Sequence, residues 1–152
     1  MKRRSARRKP KEKKLRPAAG LPRIGLEASY EKSVPHEWTL GHFDPRLPAV
    51  FSTPAMIGMM EAAAAGAVAP ELPPGAITVG TRIEVDHLKA VTTGATVVAN
   101  ARLVEYDGRF LVFNVEARSG EHLLGRGRVF RAIVERSRFH AQAESRNTKF
   151  AT

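Results

Sequence analysis

The sequence contains no cysteine among its 152 residues. This excludes disulfide bonds, thiolate metal sites and a cysteine nucleophile. Long apolar runs are missing too, because Pro48, Ser52, Thr53 and Pro54 break the most apolar stretch below the about 18–20 residues that a membrane span needs. No apolar segment follows the basic start of the chain, so no secretory signal is predicted. We therefore expect a cytoplasmic protein without membrane contact.

Acidic residues are scarce only at the start of the chain. Residues 1–16 hold ten Lys and Arg against Glu12, whereas the rest of the chain holds 15 basic and 14 acidic residues. Such a block repels itself and lacks apolar residues, which predicts a disordered basic tail and linker over residues 1–23. No aromatic residues are interleaved with the charges, so any nucleic-acid contact would be nonspecific and nucleic acid is an unexpected partner.

The hydrophobic pattern predicts one α+β domain over residues 24–135. An antiparallel sheet should wrap around one central, buried helix, leaving a sheet edge that dimerisation would cover. Residues 136–152 read as a polar C-terminal tail. The predicted strands are 25–34, 76–91, 95–106, 109–118 and 122–135, the predicted helix is 53–69, and residues 35–50 are irregular or a short lid.

The predicted helix carries one conspicuous carboxylate. Between Arg46 and Glu71 the only charged side chain is Glu61, and a carboxylate in such an apolar run is costly unless it is paired or used. Thr53 followed by Pro54 predicts the helix start, with the threonine as N-cap. Thr53 and Glu61 lie eight residues apart, about 80° around a helix, so one pocket could contact both.

The strand after this helix places a histidine on an apolar face. Its alternation puts Val79, Thr81, Ile83, Val85 and His87 on one side. From these residues alone, His87 fits either a hydrogen-bonded core histidine or a catalytic base, and Thr53 either a helix cap or a reactive hydroxyl. The remaining histidines lack metal-ligand spacing with carboxylates, so no metal is predicted.

Three segments carry a family resemblance: VFSTPAMIGMME (50–61), TVGTRIEVDH (78–87) and GRGRVFR (125–131). Their order and spacing resemble the hotdog-fold acyl-CoA thioesterases, and within them the fluoroacetyl-CoA thioesterase-like group. The resemblance implies a hotdog fold with Thr53, Glu61 and His87 as catalytic residues. It also implies that Gly80 lines the acyl pocket and that Arg131 lies near the substrate. The implied assembly is a homodimer with active sites at the subunit interface, and a tetramer is the alternative.

The segment before the helix departs from that group. The resemblance places Asp44 and Leu47 where the fluoroacetyl enzyme has phenylalanines that gate its pocket, with Phe43 and Phe51 nearby. Leu47 and Phe51 are therefore the expected substrate-binding residues on this side, and the altered or absent aromatic gate leaves fluoroacetyl selectivity open.

The function expected from these residues is hydrolysis of a short or small-polar acyl-CoA to free acid and coenzyme A, without a further cofactor. Two alternatives remain: a non-catalytic acyl-CoA binding protein, and a hotdog-type hydratase acting on enoyl or hydroxyacyl thioesters. The hydratase ranks lower because the helix lacks the Asp and His, about five residues apart, that the resemblance associates with that chemistry.

Overall fold

The computed structural model describes residues 22–147 and contains five strands and three α-helices in that range. The α-helices are α1 (Leu40–Phe43), α2 (Thr53–Val68) and α3 (Arg136–Ser145), with short 3-10 turns at His36–Trp38 and Ala69–Glu71. The strands are β1 (Glu27–Ser33), β2 (Ala76–His87), β3 (Thr96–Tyr106), β4 (Phe110–Ser119) and β5 (His122–Glu135).

The five strands form one antiparallel sheet in the order β1-β3-β4-β5-β2. Helix α2 packs against one face of this sheet, mainly on β1 and β3, and the core lies between them. The predicted α+β arrangement of a sheet around one buried helix is confirmed. Within residues 22–147, β2 pairs only with β5, so its other edge is open.

Helix α2 is buried on the side that faces the sheet, whereas Pro54, Gly58 and Ala62 on its other side are exposed in the single chain. Met56, Met59 and Met60 are at most 1% exposed, and full burial stabilises each such side chain by about 1.5–3 kcal/mol. Small residues let the sheet come close: a Cβ added to Gly66 would lie 3.9 Å from the Ala28 Cβ. The helix runs to Val68, one residue short of the predicted end.

The start of α2 corrects the sequence prediction. Ser52, not Thr53, is the N-cap: its side chain accepts a hydrogen bond from the Ala55 N–H at 3.4 Å, and it is 1% exposed. Two adjacent hydroxyl residues precede Pro54, and the sequence pattern could not decide which of them caps. The Thr53 side chain is thereby left free for another contact.

A bulge in β2 corrects a second prediction. The register against β5 shifts between Gly80 and Arg82, so the alternation of side chains is interrupted there. Residues 78 and 80 consequently lie on the same face as Ile83, Val85 and His87. Val79, which a regular strand would place beside His87, does not share that face, and Thr81 is the exposed residue that the register skips.

Both ends of the chain differ from the domain between them. The predicted basic tail falls outside the described residues except for Pro22, which is buried, and Arg23, which forms an exposed ion pair with Glu71. The C-terminal segment predicted as a polar tail is helical over Arg136–Ser145, and none of the ten residues is buried. Among the helices described, none is long and apolar enough to cross a membrane.

Candidate active site

The first group of candidate residues lies where α2 begins. Thr53 Oγ1 is 2.8 Å from His87 Nδ1, so helix start and strand end are joined by a hydroxyl–imidazole hydrogen bond. The Phe51 ring, 1% exposed, packs edge-on against the imidazole with ring centres 6.3 Å apart. His87 Nε2 is buried and has no hydrogen-bond partner among the described residues. The imidazole is therefore held through Nδ1, while Nε2 is enclosed without a partner among the described residues.

A cavity of about 390 Å³ lies along α2 elsewhere, but the one beside this pair is smaller, about 270 Å³. The residues that line this smaller cavity include Thr53, His87, Phe51, Leu88 and Lys89.

The first turn of α2 leaves one backbone donor without a partner in Ser52. Pro54 has no N–H, and the Ala55 and Met56 N–H groups bond to Ser52. The Thr53 N–H is thus a donor at the helix start that neither of these bonds uses, where the helix dipole favours negative charge.

The second group surrounds Glu61 in the middle of α2. The Arg131 Nη1 is 3.4 Å from the Glu61 Oε1, and the arginine is 7% exposed. Gly80 lies directly opposite Arg131 in the β2–β5 register. A Cβ on Gly80 would overlap the Glu61 Oε1 and lie 3.3 Å from its carboxyl carbon. The carboxylate therefore rests on the bare backbone of Gly80, with Arg131 beside it.

Arg131 has a further partner that the sequence reasoning missed. Its Nε donates to the Thr78 Oγ1 at 2.9 Å, and its Nη2 donates to the Thr78 carbonyl oxygen at 2.8 Å. Burial lowers the pKa of Arg131 and the negative charge of Glu61 partly opposes that shift. The only sequence signal for Thr78 is its place two residues before Gly80, which puts both on one strand face.

Within one chain the two groups remain apart. Thr53 and Glu61 are separated by eight residues of helix, a rise of about 12 Å, and each turns toward a different part of β2. Leu47 belongs to neither group; it is 45% exposed in the loop before α2.

Among residues 22–147, no cluster of three or more His, Asp or Glu side chains could hold a metal ion.

Comparison with known proteins identifies the family of this chain. The sequence model of the fluoroacetyl-CoA-specific thioesterases matches residues 34–137. The chain belongs to this family. A fluoroacetyl-CoA thioesterase from Streptantibioticus cattleyicolor is 35% identical over 130 residues, covering 82% of this chain and 94% of that enzyme. The family resemblance drawn from three short segments is thus confirmed.

Solved structures of this thioesterase family and of more distant proteins share the fold. A structure of the fluoroacetyl-CoA thioesterase FlK has a TM-score of 0.78 and 34% identity, covering 84% of this chain and 98% of that one. A thioesterase superfamily member from Thermus thermophilus has a TM-score of 0.75 and 27% identity over 84% of this chain and 94% of its own. A hot-dog-like protein from Thermanaerovibrio acidaminovorans, 22% identical, has a TM-score of 0.74 and covers 86% and 96% of the two chains. The hotdog prediction is confirmed.

Proposed function

We propose that this protein hydrolyses a short acyl-CoA thioester to the free acid and coenzyme A, using Thr53, His87 and Glu61. The observation that carries the proposal is the 2.8 Å hydrogen bond between Thr53 and His87 at the start of α2, beside a small cavity. A hydroxyl paired with an imidazole is a recognised arrangement for nucleophilic or base catalysis. Membership of a thioesterase family supports hydrolysis over hydration and over binding without turnover.

The start of α2 suits the thioester carbonyl. In the proposed reaction the carbonyl oxygen gains negative charge as an oxygen nucleophile adds to its carbon, and a helix N-terminus stabilises that charge. The Thr53 N–H would serve as such a donor, since the Ala55 and Met56 N–H groups bond to Ser52. Because such donors are fixed before the reaction begins, they act without reorganisation in the transition state.

His87 is the proposed proton carrier. With Nδ1 unprotonated it accepts the hydrogen bond of the Thr53 hydroxyl, and it can pass a proton to the departing thiolate once the carbon–sulfur bond breaks. Glu61 supplies the second base, placed to activate water or to attack the carbonyl itself. In either route water is consumed, the acyl carbon gains an oxygen, and coenzyme A leaves as a thiol.

The two groups of residues would form one site across a homodimer. The open edge of β2 is the natural surface for pairing with a second copy, since unpaired strand edges seek partners. In that assembly the Thr53–His87 pair of one subunit would face the Glu61–Arg131 group of the other. Subunit contact would also cover Thr53, which is exposed in the single chain.

The acyl group is proposed to be small, without selection for fluorine. A variant of FlK was solved in complex with acetyl-CoA, a short acyl-CoA. In this chain Asp44 pairs with Arg46 at 2.7 Å and Leu47 is 45% exposed, so neither position offers an aromatic gate. Lys89 in the cavity lining would favour a polar or anionic acyl end.

The decisive experiment measures free-thiol release from acetyl-, fluoroacetyl-, propionyl-, malonyl-, benzoyl- and medium-chain acyl-CoA. We expect turnover well above background on a short acyl class, and its loss in both Glu61→Gln and His87→Ala with the fold intact by circular dichroism. Full activity in either variant would defeat the assignment of that residue. No turnover on any of these thioesters by the folded protein would refute the proposed function.

A further inference from the structure

All three nitrogens of the Arg131 guanidinium are engaged in protein contacts. The side chain is 9% exposed, and its Nε, Nη1 and Nη2 reach Thr78, Glu61 and again Thr78. A group so enclosed has little freedom left to meet a substrate. Its geometry suits a different task, which is to hold the Glu61 carboxylate in one place.

The two Thr78 contacts decide how the guanidinium is oriented. They are shorter, at 2.9 and 2.8 Å, than the 3.4 Å contact to Glu61. A planar guanidinium bound at Nε and Nη2 by one residue cannot rotate, so its third nitrogen points in a fixed direction. Because Gly80 offers no side chain, the backbone of β2 sets the other limit on the carboxylate.

We propose that Thr78 is a positioning residue that acts through Arg131 to fix Glu61. Thr78 holds Arg131, Arg131 holds the carboxylate, and the carboxylate lies against Gly80 in the orientation that the reaction uses. This inference rests on the proposed function, in which Glu61 is catalytic. A carboxylate that is present but loosely oriented retains substrate binding and loses rate, since misplacement of a reacting group by about 1 Å can cost about a hundredfold.

The test compares Thr78→Val, Thr78→Ser and Thr81→Val in the full-length protein on the preferred acyl-CoA. Valine keeps the branched shape and the strand preference but removes the acceptor for Arg131 Nε, whereas serine retains it. Thr81 receives the same substitution three residues away on β2, where it is the exposed residue that the β5 register skips. We expect kcat to fall about tenfold or more in Thr78→Val with KM changed less than about threefold. Thr78→Ser and Thr81→Val should stay within about twofold of the wild type.

A double-mutant cycle with Arg131→Lys separates positioning from general damage. If Thr78 acts through Arg131, Thr78→Val should change kcat less than about twofold once lysine replaces the arginine. An undiminished effect in that background would overturn the proposal. Unchanged kcat in Thr78→Val, or equal losses in the serine and valine variants, would also overturn it. Thr78→Ala serves the same comparison if the valine variant does not fold.

The outcome also separates this inference from the proposed function. Wild-type turnover that Glu61→Gln abolishes and Thr78→Val leaves intact would refute only the role of Thr78. A folded wild type without thioesterase activity, or an active Glu61→Gln variant, would refute the catalytic role on which the inference rests.

Discussion

Gly80 shows how one missing side chain can shape a site. The space in which its Cβ would stand is taken by the Glu61 carboxylate, and the Arg131 Nη1 lies 3.7 Å from the same point. The φ angle of Gly80 is not in the left-handed region. Glycine is therefore required here because of the limited space and not because of the backbone conformation. A carboxylate on a buried helix thereby gains a fixed position between a strand backbone and a cation.

At this scale we predict that Gly80→Ala lowers kcat about ten- to a hundredfold, because the added methyl displaces the carboxylate. Gly58→Ala adds the same methyl to α2, where no atom lies within 4 Å, and should raise the melting temperature because alanine favours helix. Steady-state kinetics and thermal unfolding of both variants provide the check. An active Gly80→Ala enzyme would show that Glu61 need not lie against β2.

The two adjacent hydroxyl residues at the start of α2 make different contacts. Ser52 satisfies a helix N–H and is buried, while Thr53 turns to His87. Ser52→Ala should lower the free energy of unfolding by about 1 kcal/mol, the usual loss for a cap. Thr53→Val should leave that free energy nearly unchanged and abolish most thioesterase activity. Urea unfolding and thiol release measure the two effects, and a stability loss confined to Thr53→Val would reverse the assignment.

Helix α3 has a pH-sensitive start. The Glu135 carboxylate accepts hydrogen bonds from the Arg138 and Ser137 N–H groups, in that order of effect, and these hold its pKa below the ordinary value of 4.5. A carboxyl whose pKa is lower when folded stabilises the helix above its unfolded pKa and loses that contribution as pH falls through the folded value. The cap is therefore complete at neutral pH and fails only in acid.

We expect the amide resonances of Ser137 and Arg138 to titrate at a pH below 4.5, in step with loss of α3 helicity. Glu135→Ala removes the acceptor, so its α3 should be weaker at neutral pH and show no acid step. NMR spectra across acid pH in both proteins provide the comparison. The same acid step in Glu135→Ala would show that another group controls this helix.

For the whole molecule, the arrangement of sites across subunits can be tested by complementation. When Glu61→Gln and His87→Ala chains are co-expressed, a mixed dimer would hold one site with both residues intact. Random pairing in a two-fold dimer should then restore about a quarter of wild-type activity. Thr53→Val mixed with His87→Ala should restore none, since both belong to the same half-site. Absence of rescue in mixed dimers of confirmed composition would place each site within one chain.

The order of the five strands and α2 followed from the sequence because apolar periodicity and turn residues are local. Their bounds agree within a few residues, and β5 agrees at both ends, whereas α1 and α3 were not predicted as helices. The three predicted catalytic residues came from a helix start, an isolated carboxylate and a strand histidine. Thr78 was missed because its significance lies in a contact with Arg131, 53 residues away in the chain. No local pattern marks a hydroxyl as the holder of a distant guanidinium.

By itself the sequence determined the sheet and buried helix and the concentration of basic residues at positions 1–16 against a nearly neutral remainder, and its family resemblance supplied the proposed catalytic residues. The tertiary structure alone decided which hydroxyl caps α2 and which meets His87. It also decided that Gly80 and His87 share a face, although seven residues of regular strand would place them on opposite faces. The bulge after Gly80 adds one residue to the strand and so brings Gly80 and His87 onto the same face. Packing against β5 and α2 favours this arrangement, because Gly80 then contacts Glu61 and His87 contacts Thr53.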